Sequence, residues 1–251
     1  MIVAFYALHY GSDYLGWSIK SIYDYVDKIY ILYSDVPSYG YNTSIKNPDT
    51  KEKLIESAHV FGDPQSKIKW IDARWSSEVQ HRLAIHSAVS QDNPDVILTV
   101  DADEIWQKQT IENTLATVLS GTSKIYKIKM LTLWRSFSWY TLDNWWPLRV
   151  ECPKRQSGTQ NLFENDDSDV ARVLHFGYAR SLEDIRYKVS IHGHKGEWRS
   201  DWLDRYEQWP ASGNNDFHPV CANAWNVLPY DKSKLPEIMQ SNPYYNLDII
   251  K

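Results

Sequence analysis

An α/β fold with a mostly parallel central sheet flanked by helices is what this sequence predicts, and three observations predict it. Apolar runs of strand length alternate with stretches of helical spacing through the first 110 residues. That alternation is the pattern of βαβ units with right-handed crossovers. The run 96–100 is apolar throughout rather than alternating, as expected of a strand covered on both faces. The run ends in Asp101-Ala102-Asp103-Glu104, which puts carboxylates at the carboxyl edge of a sheet. Open α/β sheets bind their ligands at that edge.

In chain order, 2–8 reads as the first strand and 9–14 as a polar break. Leu15, Ile19, Ile22 and Val26 recur at helical spacing, and 28–33 is the second strand. Residues 37–49 are rich in Gly, Asn, Pro and Ser and read as a loop; 50–61 reads as a helix and 68–72 as a third strand. A helix over 76–89 carries Glu78 in its first turn and apolar Val79, Leu83, Ile85 and Val89, and Asn93-Pro94 stops it. Beyond the acid-tipped strand, 110–119 is helical and 124–133 alternates like a strand wet on one side. Residues 134–146 are dense in aromatics, 148–152 reads as a strand and 153–169 as a polar loop. A strand over 170–178 precedes a helix that opens with Ser181 three residues before Asp184, close to a capping box. Helical pattern resumes at 198–209, and the proline-punctuated tail from 210 reads as loops and short helices. Residues 1–133 form a first half and 134–251 an aromatic-rich extension, in one continuous domain.

With 251 residues the chain is long enough to bury a sizeable core. No stretch approaches the roughly 20 apolar residues of a membrane span, and the start reads as a strand rather than a signal peptide. The two cysteines, Cys152 and Cys221, imply no disulfide framework, so a reducing cytoplasm is expected, or a host cytoplasm for a viral protein. A net charge of −5 argues against non-specific coating of nucleic acid. Aromatics are in surplus, with 12 Trp and 17 Tyr: most suit a core, and some suit stacking on flat ligand faces.

Asp101 and Asp103 are two apart, so in extended geometry both point to one side. Two carboxylates converging there repel unless a cation lies between them. A hard divalent ion, Mg²⁺ or Mn²⁺, would relieve this and leave positions open for phosphate oxygens. Asp35, at the end of the second strand, is placed either to bond a ribose or base edge or to act as a turn residue.

Four segments resemble the GT-A glycosyltransferases, particularly those like family 2. The stretch 5–32 looks like that family's first βαβ unit. Glu78-Val-Gln-His-Arg82-Leu83 resembles the helix that carries an Arg-Asn pair: Arg82 matches, and Leu83 departs from the pattern. Residues 95–106 look like its metal-binding strand and Asp-x-Asp motif. Residues 174–188, with His175, look like the segment that closes the metal site.

The resemblance implies a GT-A fold and transfer of a sugar from a nucleotide-diphospho-sugar, a UDP-sugar above all, to an acceptor hydroxyl with inversion. It implies Mn²⁺ or Mg²⁺ held by Asp101, Asp103 and His175, with Asp101 direct or through water. Donor contacts fall to His9, Asp35, Arg82, Asp101, Lys188 and His194. His192, Lys195 and Arg199 lie in the same basic patch. A carboxylate base is expected among Glu104, Asp143 and Glu151, with Glu164 and Asp166 in the same region. The Trp139–Trp146 cluster is the expected acceptor platform. The acceptor is a glycan, a protein or a hydroxymethylated DNA base of a virus. Two other classes compete: a sugar nucleotidyltransferase, which calls for a Gly-rich basic loop after the first strand, and a non-catalytic carbohydrate-binding protein.

Overall fold

The computed structural model describes residues 1–37, 43–143, 145–191 and 196–251. Strand β1 (Ile2–Leu8) leads to helix α1 (Leu15–Ile22), β2 (Lys28–Tyr33), α2 (Lys51–Ala58), β3 (Ile68–Asp72), α3 (Glu78–Ala88) and β4 (Val96–Thr99). The expected βαβ alternation is present, and polar side chains begin two of its helices. Thr50 caps α2 by accepting from the Lys53 amide, and Ser77 caps α3 by accepting from the Gln80 amide. After β4 come β5 (Glu104–Ile105), α4 (Lys108–Ser120), β6 (Ile125–Lys127), β7 (Lys129–Trp134), β8 (Trp139–Leu142), β9 (Leu148–Glu151) and β10 (Thr159–Asn161). Then follow β11 (Arg172–Tyr178), α5 (Leu182–Ile191), α6 (Trp202–Gln208) and β12 (Leu228–Pro229).

Two sheets result. The larger runs β10-β6-β9-β4-β1-β2-β3; its four strands β3, β2, β1 and β4 are parallel, and β9 runs against β4 and β6. Because β1 lies between β2 and β4, the connections leave it in opposite directions. This opens a crevice at the carboxyl ends of β1 and β4. The smaller sheet runs β12-β8-β7-β11-β5 and borrows β5 and β7 from the first half of the chain.

β1 is covered on both faces. Val3 and Phe5 pack with Ile85 and Val89 of the α3 side, whereas Ala4, Tyr6 and Leu8 pack with Leu15 and Ile19 of α1 and Ile111 of α4. The aromatic surplus is mostly core: Trp134, Trp202, Tyr206 and Phe217 form one buried cluster, with Trp134 centred 4.8 Å from Phe217.

Three local expectations need correction. Val79 and Leu83 of α3 face solvent; the buried stripe runs through His81, Ile85 and Val89 instead. His81 tolerates burial because its Nε2 bonds the Leu32 carbonyl at 2.7 Å. The single strand expected over 124–133 is two, since the chain passes at the buried Ile128 from the larger sheet to the smaller. The Asp-x-Asp segment is not extended: the Glu104 amide donates to the Asp101 carbonyl at 3.0 Å, closing a turn.

Candidate functional site

A cavity of about 260 Å³ opens at that crevice. β1 delivers His9 and Tyr10, β4 delivers Asp101 and Asp103, α3 contributes Arg82, β11 contributes His175, and Arg180 and Lys188 come from its continuation into α5. The turn after β4 is stitched to the second sheet. β5 pairs antiparallel with β11, which sets Glu104 opposite His175, and the Phe176 amide donates to the Asp103 carbonyl at 2.8 Å. Gly11 lets the first loop approach. Its φ is +124°, and a Cβ there would stand 2.9 Å from the Cβ of Ala102.

Every acid at the cavity has a cation on it. Asp101 Oδ1 accepts from both terminal nitrogens of Arg82 at 3.3 Å, and Asp101 Oδ2 accepts from Arg149 at 2.9 Å. Burial alone would favour the neutral acid, but the pull of Arg82 and Arg149 prevails and holds Asp101 well below the carboxylate range. Asp103 Oδ2 accepts from Arg180 at 3.3 Å. Glu78 takes Arg82 Nε at 2.7 Å. Arg180, 1 % exposed, has an ion pair with Asp13 at 3.0 Å, and Tyr10 and Tyr14 lie against its guanidinium.

His9 is a buried neutral ring. Its Nδ1 bonds the Ser34 carbonyl at 2.8 Å, its Nε2 bonds the Tyr187 hydroxyl at 2.6 Å, and burial lowers its pKa. Burial likewise lowers Lys188, whose Nζ donates to the Gly177 carbonyl at 3.2 Å.

His175 stands 3.6 Å, Nε2 to Oδ1, from Asp103. That gap is too long for a hydrogen bond. Nδ1 is 3.3 Å from the Thr132 hydroxyl, which leaves Nε2 turned to Asp103. Burial, only partly opposed by Asp103, pushes the ring down to about 4, so it is neutral at pH 7 and its lone pair is available. One carboxylate oxygen and one imidazole nitrogen suit Mn²⁺ better than Mg²⁺, which prefers oxygen ligands throughout. Asp101 suits it less directly, because arginines already occupy both its oxygens. Among the described residues no group of three or more His, Cys, Asp and Glu is arranged to hold a metal.

The cavity thus gathers His9, Arg82, Asp101, Asp103, His175 and Lys188, but not the other candidates among the described residues. Glu104 is fully buried beneath Asp101, bonded to Arg149, and burial pushes its pKa up to about 8. Asp35 lies at the ends of β2 and β3, beside another cavity, and forms a two-pronged pair with Arg74. Glu151 sits opposite Ile97, toward the amino end of β4, between His86 and Lys124. Glu164 and Asp166 are on the exposed loop before β11. Asp143 belongs to a different cavity, at the end of β8. The expected aromatic platform is broken up: Trp139 packs on Trp209, Trp146 takes Lys129, and Trp145 is exposed. His192, His194 and Lys195 lie outside the described residues.

Sequence reading passed over Arg149, Arg180 and Tyr187. Arg149 did carry a signal, since an arginine inside the apolar strand Leu148-Arg149-Val150 is seldom buried without a partner.

No family model matches the chain, and no curated protein does. Solved structures match it over part of their arrangement. The galactosyltransferase LgtC in complex with donor and acceptor sugar analogs is 14% identical, covering 51% of this chain and 46% of that one, with a TM-score of 0.34. Glucosyl-3-phosphoglycerate synthase from Mycobacterium tuberculosis, in complex with Mn²⁺, UDP and phosphoglyceric acid, is 16% identical, covering 54% and 43%, with a TM-score of 0.31. An active-site mutant of LgtC is 10% identical, covering 96% of this chain and 100% of that one, with a TM-score of 0.40. The chain spans less than half the length of the first two. The mainly parallel sheet flanked by helices, with its cavity at the β1–β4 crevice, is the architecture expected of a GT-A fold.

Proposed function

We propose that the chain is a glycosyltransferase that moves a sugar from a nucleotide-diphospho-sugar, a UDP-sugar, to an acceptor hydroxyl. The observation that carries this reading is the meeting of Asp103, His175, Arg180 and Lys188 at the switch point of the sheet. In the reaction the acceptor oxygen bonds to the anomeric carbon as the bond from that carbon to the diphosphate oxygen breaks. The electron pair leaves with the diphosphate, and the acceptor proton passes to a base. Arg180 and Lys188 face the place where the leaving diphosphate gathers charge, and preorganised cations there lower the barrier.

In this reading Asp103 and His175 would hold a divalent cation, with Asp101 beside them. When bound, that ion supplies Lewis-acid stabilisation of the diphosphate. Glu78, Asp101 and Asp103, the carboxylates of the cavity, are all engaged by arginine. In this reading the transfer is a single displacement with inversion, and the acceptor proton passes to a base outside these three carboxylates. Glu104 then serves to position Arg149, and so Asp101, rather than as the base.

A nucleotidyltransferase is disfavoured because the loop after β1, His9-Tyr10-Gly11-Ser12-Asp13, carries no basic Gly-rich cradle. A binding protein is disfavoured because it leaves the buried charge at the cavity without a use. Of the acceptors considered, a glycan fits a chain of net charge −5 better than polyanionic DNA. No helix among the described residues is long and apolar enough to cross a membrane. Cys152 and Cys221 are unpaired, which favours a reducing compartment such as the cytoplasm.

The test is thermal denaturation with UDP-, GDP-, CMP- and dTDP-sugars, with and without Mn²⁺. The expected outcome is a raised midpoint for UDP-sugars that grows with Mn²⁺ and is lost in Asp103→Ala. No shift with any nucleotide sugar, or an undiminished one in Asp103→Ala, would sink the proposal.

A further inference from the structure

A second cavity, of about 390 Å³, lies between the end of β8 and the loop that precedes β12. Leu142, Asp143, Asn223, Trp225 and Asn226 line it. The 216–225 loop is held in a costly backbone conformation: Asp216, Asn223 and Trp225 all have positive φ, 65°, 59° and 61°. Asp and Asn tolerate that region but a bulky tryptophan does not, so the strain sits at Trp225, and such strain collects where a site must be held in shape. The holding contacts are present. Asp216 Oδ1 accepts from the Asn223 amide at 2.6 Å and from Arg199 at 2.5 Å. The Phe217 amide donates to the Trp225 carbonyl at 3.0 Å, and the His218 amide to the Ala224 carbonyl at 3.1 Å.

His218 packs edge-on against Trp225 at 4.6 Å, and its tautomer is set by its neighbours. Nδ1 accepts from the amides of Val220 at 3.0 Å and Cys221 at 2.8 Å, so the ring hydrogen is on Nε2. That Nε2–H looks toward Asp143 Oδ2 across 3.9 Å. The separation is too long for a direct hydrogen bond. It suits one oxygen that accepts from the imidazole and donates to the carboxylate, as an alcohol hydroxyl does. The other oxygen of Asp143 is already engaged, accepting from the Trp145 amide at 3.0 Å. Trp145 itself, tied to Asp143 by its backbone amide, is 68% exposed and has no core role. Two ring contacts lead from this cavity toward the first. Trp225 packs edge-on against Tyr178 at 5.4 Å, and Tyr178 packs against His175 at 6.4 Å.

We propose that this cavity is a saccharide subsite. Asp143 and His218 clasp one hydroxyl of a pyranose, the Asn226 amide meets a second, and the indole of Trp145 covers the apolar face of the ring. A hydroxyl-bridged acid and imidazole, amides and an exposed indole together are what a polyhydroxylated ring with one apolar face requires. Calling this saccharide the acceptor rests on the glycosyl transfer proposed above; its binding here does not.

The experiment follows the tryptophan indole ¹⁵N–H signals of the labelled protein during titration with methyl glycosides of glucose, galactose and N-acetylglucosamine. UDP binding is followed separately by thermal shift. At least one glycoside is expected to move the Trp145 signal saturably, and His218→Gln is expected to weaken that binding at least tenfold. Trp145→Ala, at an exposed position that leaves the fold intact, is expected to weaken it similarly, read from the signal of the lining Trp225. If UDP binds but no glycoside moves Trp145, or if neither substitution alters the affinity, the subsite is overturned while the transferase reading stands. If glycosides bind and no nucleotide does, the subsite stands and the transferase reading falls.

Discussion

Replacing Arg149 with methionine probes the charge network on which the candidate site rests. Arg149 is 7% exposed and, among the described residues, is the one side chain that bonds both Asp101 and Glu104. Without it, Glu104 stays fully buried with no cation on it, and Asp101 loses the partner of one oxygen. Removing one member of a buried ion pair typically costs about 3–5 kcal/mol. Glu104 has a way to soften this. Burial already pushes its pKa up to about 8, so at pH 7 it escapes an unpaired buried charge by keeping its proton. The loss expected is therefore at the low end, about 3 kcal/mol. The double variant Glu104→Gln/Arg149→Met removes the acid together with its partner and should recover about 1–3 kcal/mol relative to the sum of the single variants. Urea unfolding at pH 7, followed by the fluorescence of the 12 Trp, measures all four proteins at equal slope. An Arg149→Met loss below about 1 kcal/mol, or strict additivity in the double variant, would refute the reasoning.

Other predictions concern the loop, the histidine and the aromatic core. Gly11→Ala combines a φ of +124° with a Cβ 2.9 Å from Ala102, so it should cost about 1–3 kcal/mol and displace the Asp-x-Asp turn; an unchanged melting temperature would contradict this. In metal-free protein His175 ties stability to pH. Between pH 6.5 and about 4 the unfolded chain binds a proton on this ring that the folded chain refuses. Stability should therefore fall as pH drops through that window, by about 3 kcal/mol in all, and His175→Gln should flatten that part of the profile. Trp134→Ala should cost about 3–5 kcal/mol in urea unfolding, because the indole is wholly buried against Phe217 and Tyr206; a loss under about 1 kcal/mol would mean that the cluster collapses onto the void.

Several elements were legible because the chain carries their local cause. Strands β1, β2 and β3 fall at the bounds that their apolar runs suggest, and Ser181 begins α5 by accepting from the Asp184 amide at 3.1 Å. Helix α3 was legible in extent but not in orientation. Its apolar residues suggested one face, and the sheet took the face with His81, because a carbonyl of β2 waits there for the ring. The acids were legible as a motif, but their turn was not, since it is closed by a backbone bond whose partners a propensity cannot name. Asp35 looked free at the end of its strand, yet Arg74 of the neighbouring strand end claims both its oxygens.

The sequence by itself determined the βαβ order and the acid-tipped strand. These follow from periodicity and residue type, which act over a few neighbouring residues. Only the tertiary structure decided which charges meet. Arg149 reaches Asp101 from β9, Arg180 reaches Asp103 from beyond β11, and Asp143 finds His218 across 75 residues of chain. Those meetings depend on strand order and register, and a buried charge accepts whichever partner the packing brings within reach. Local sequence therefore announced that acids would gather at the sheet edge, and packing of the two sheets chose the arginines that hold them.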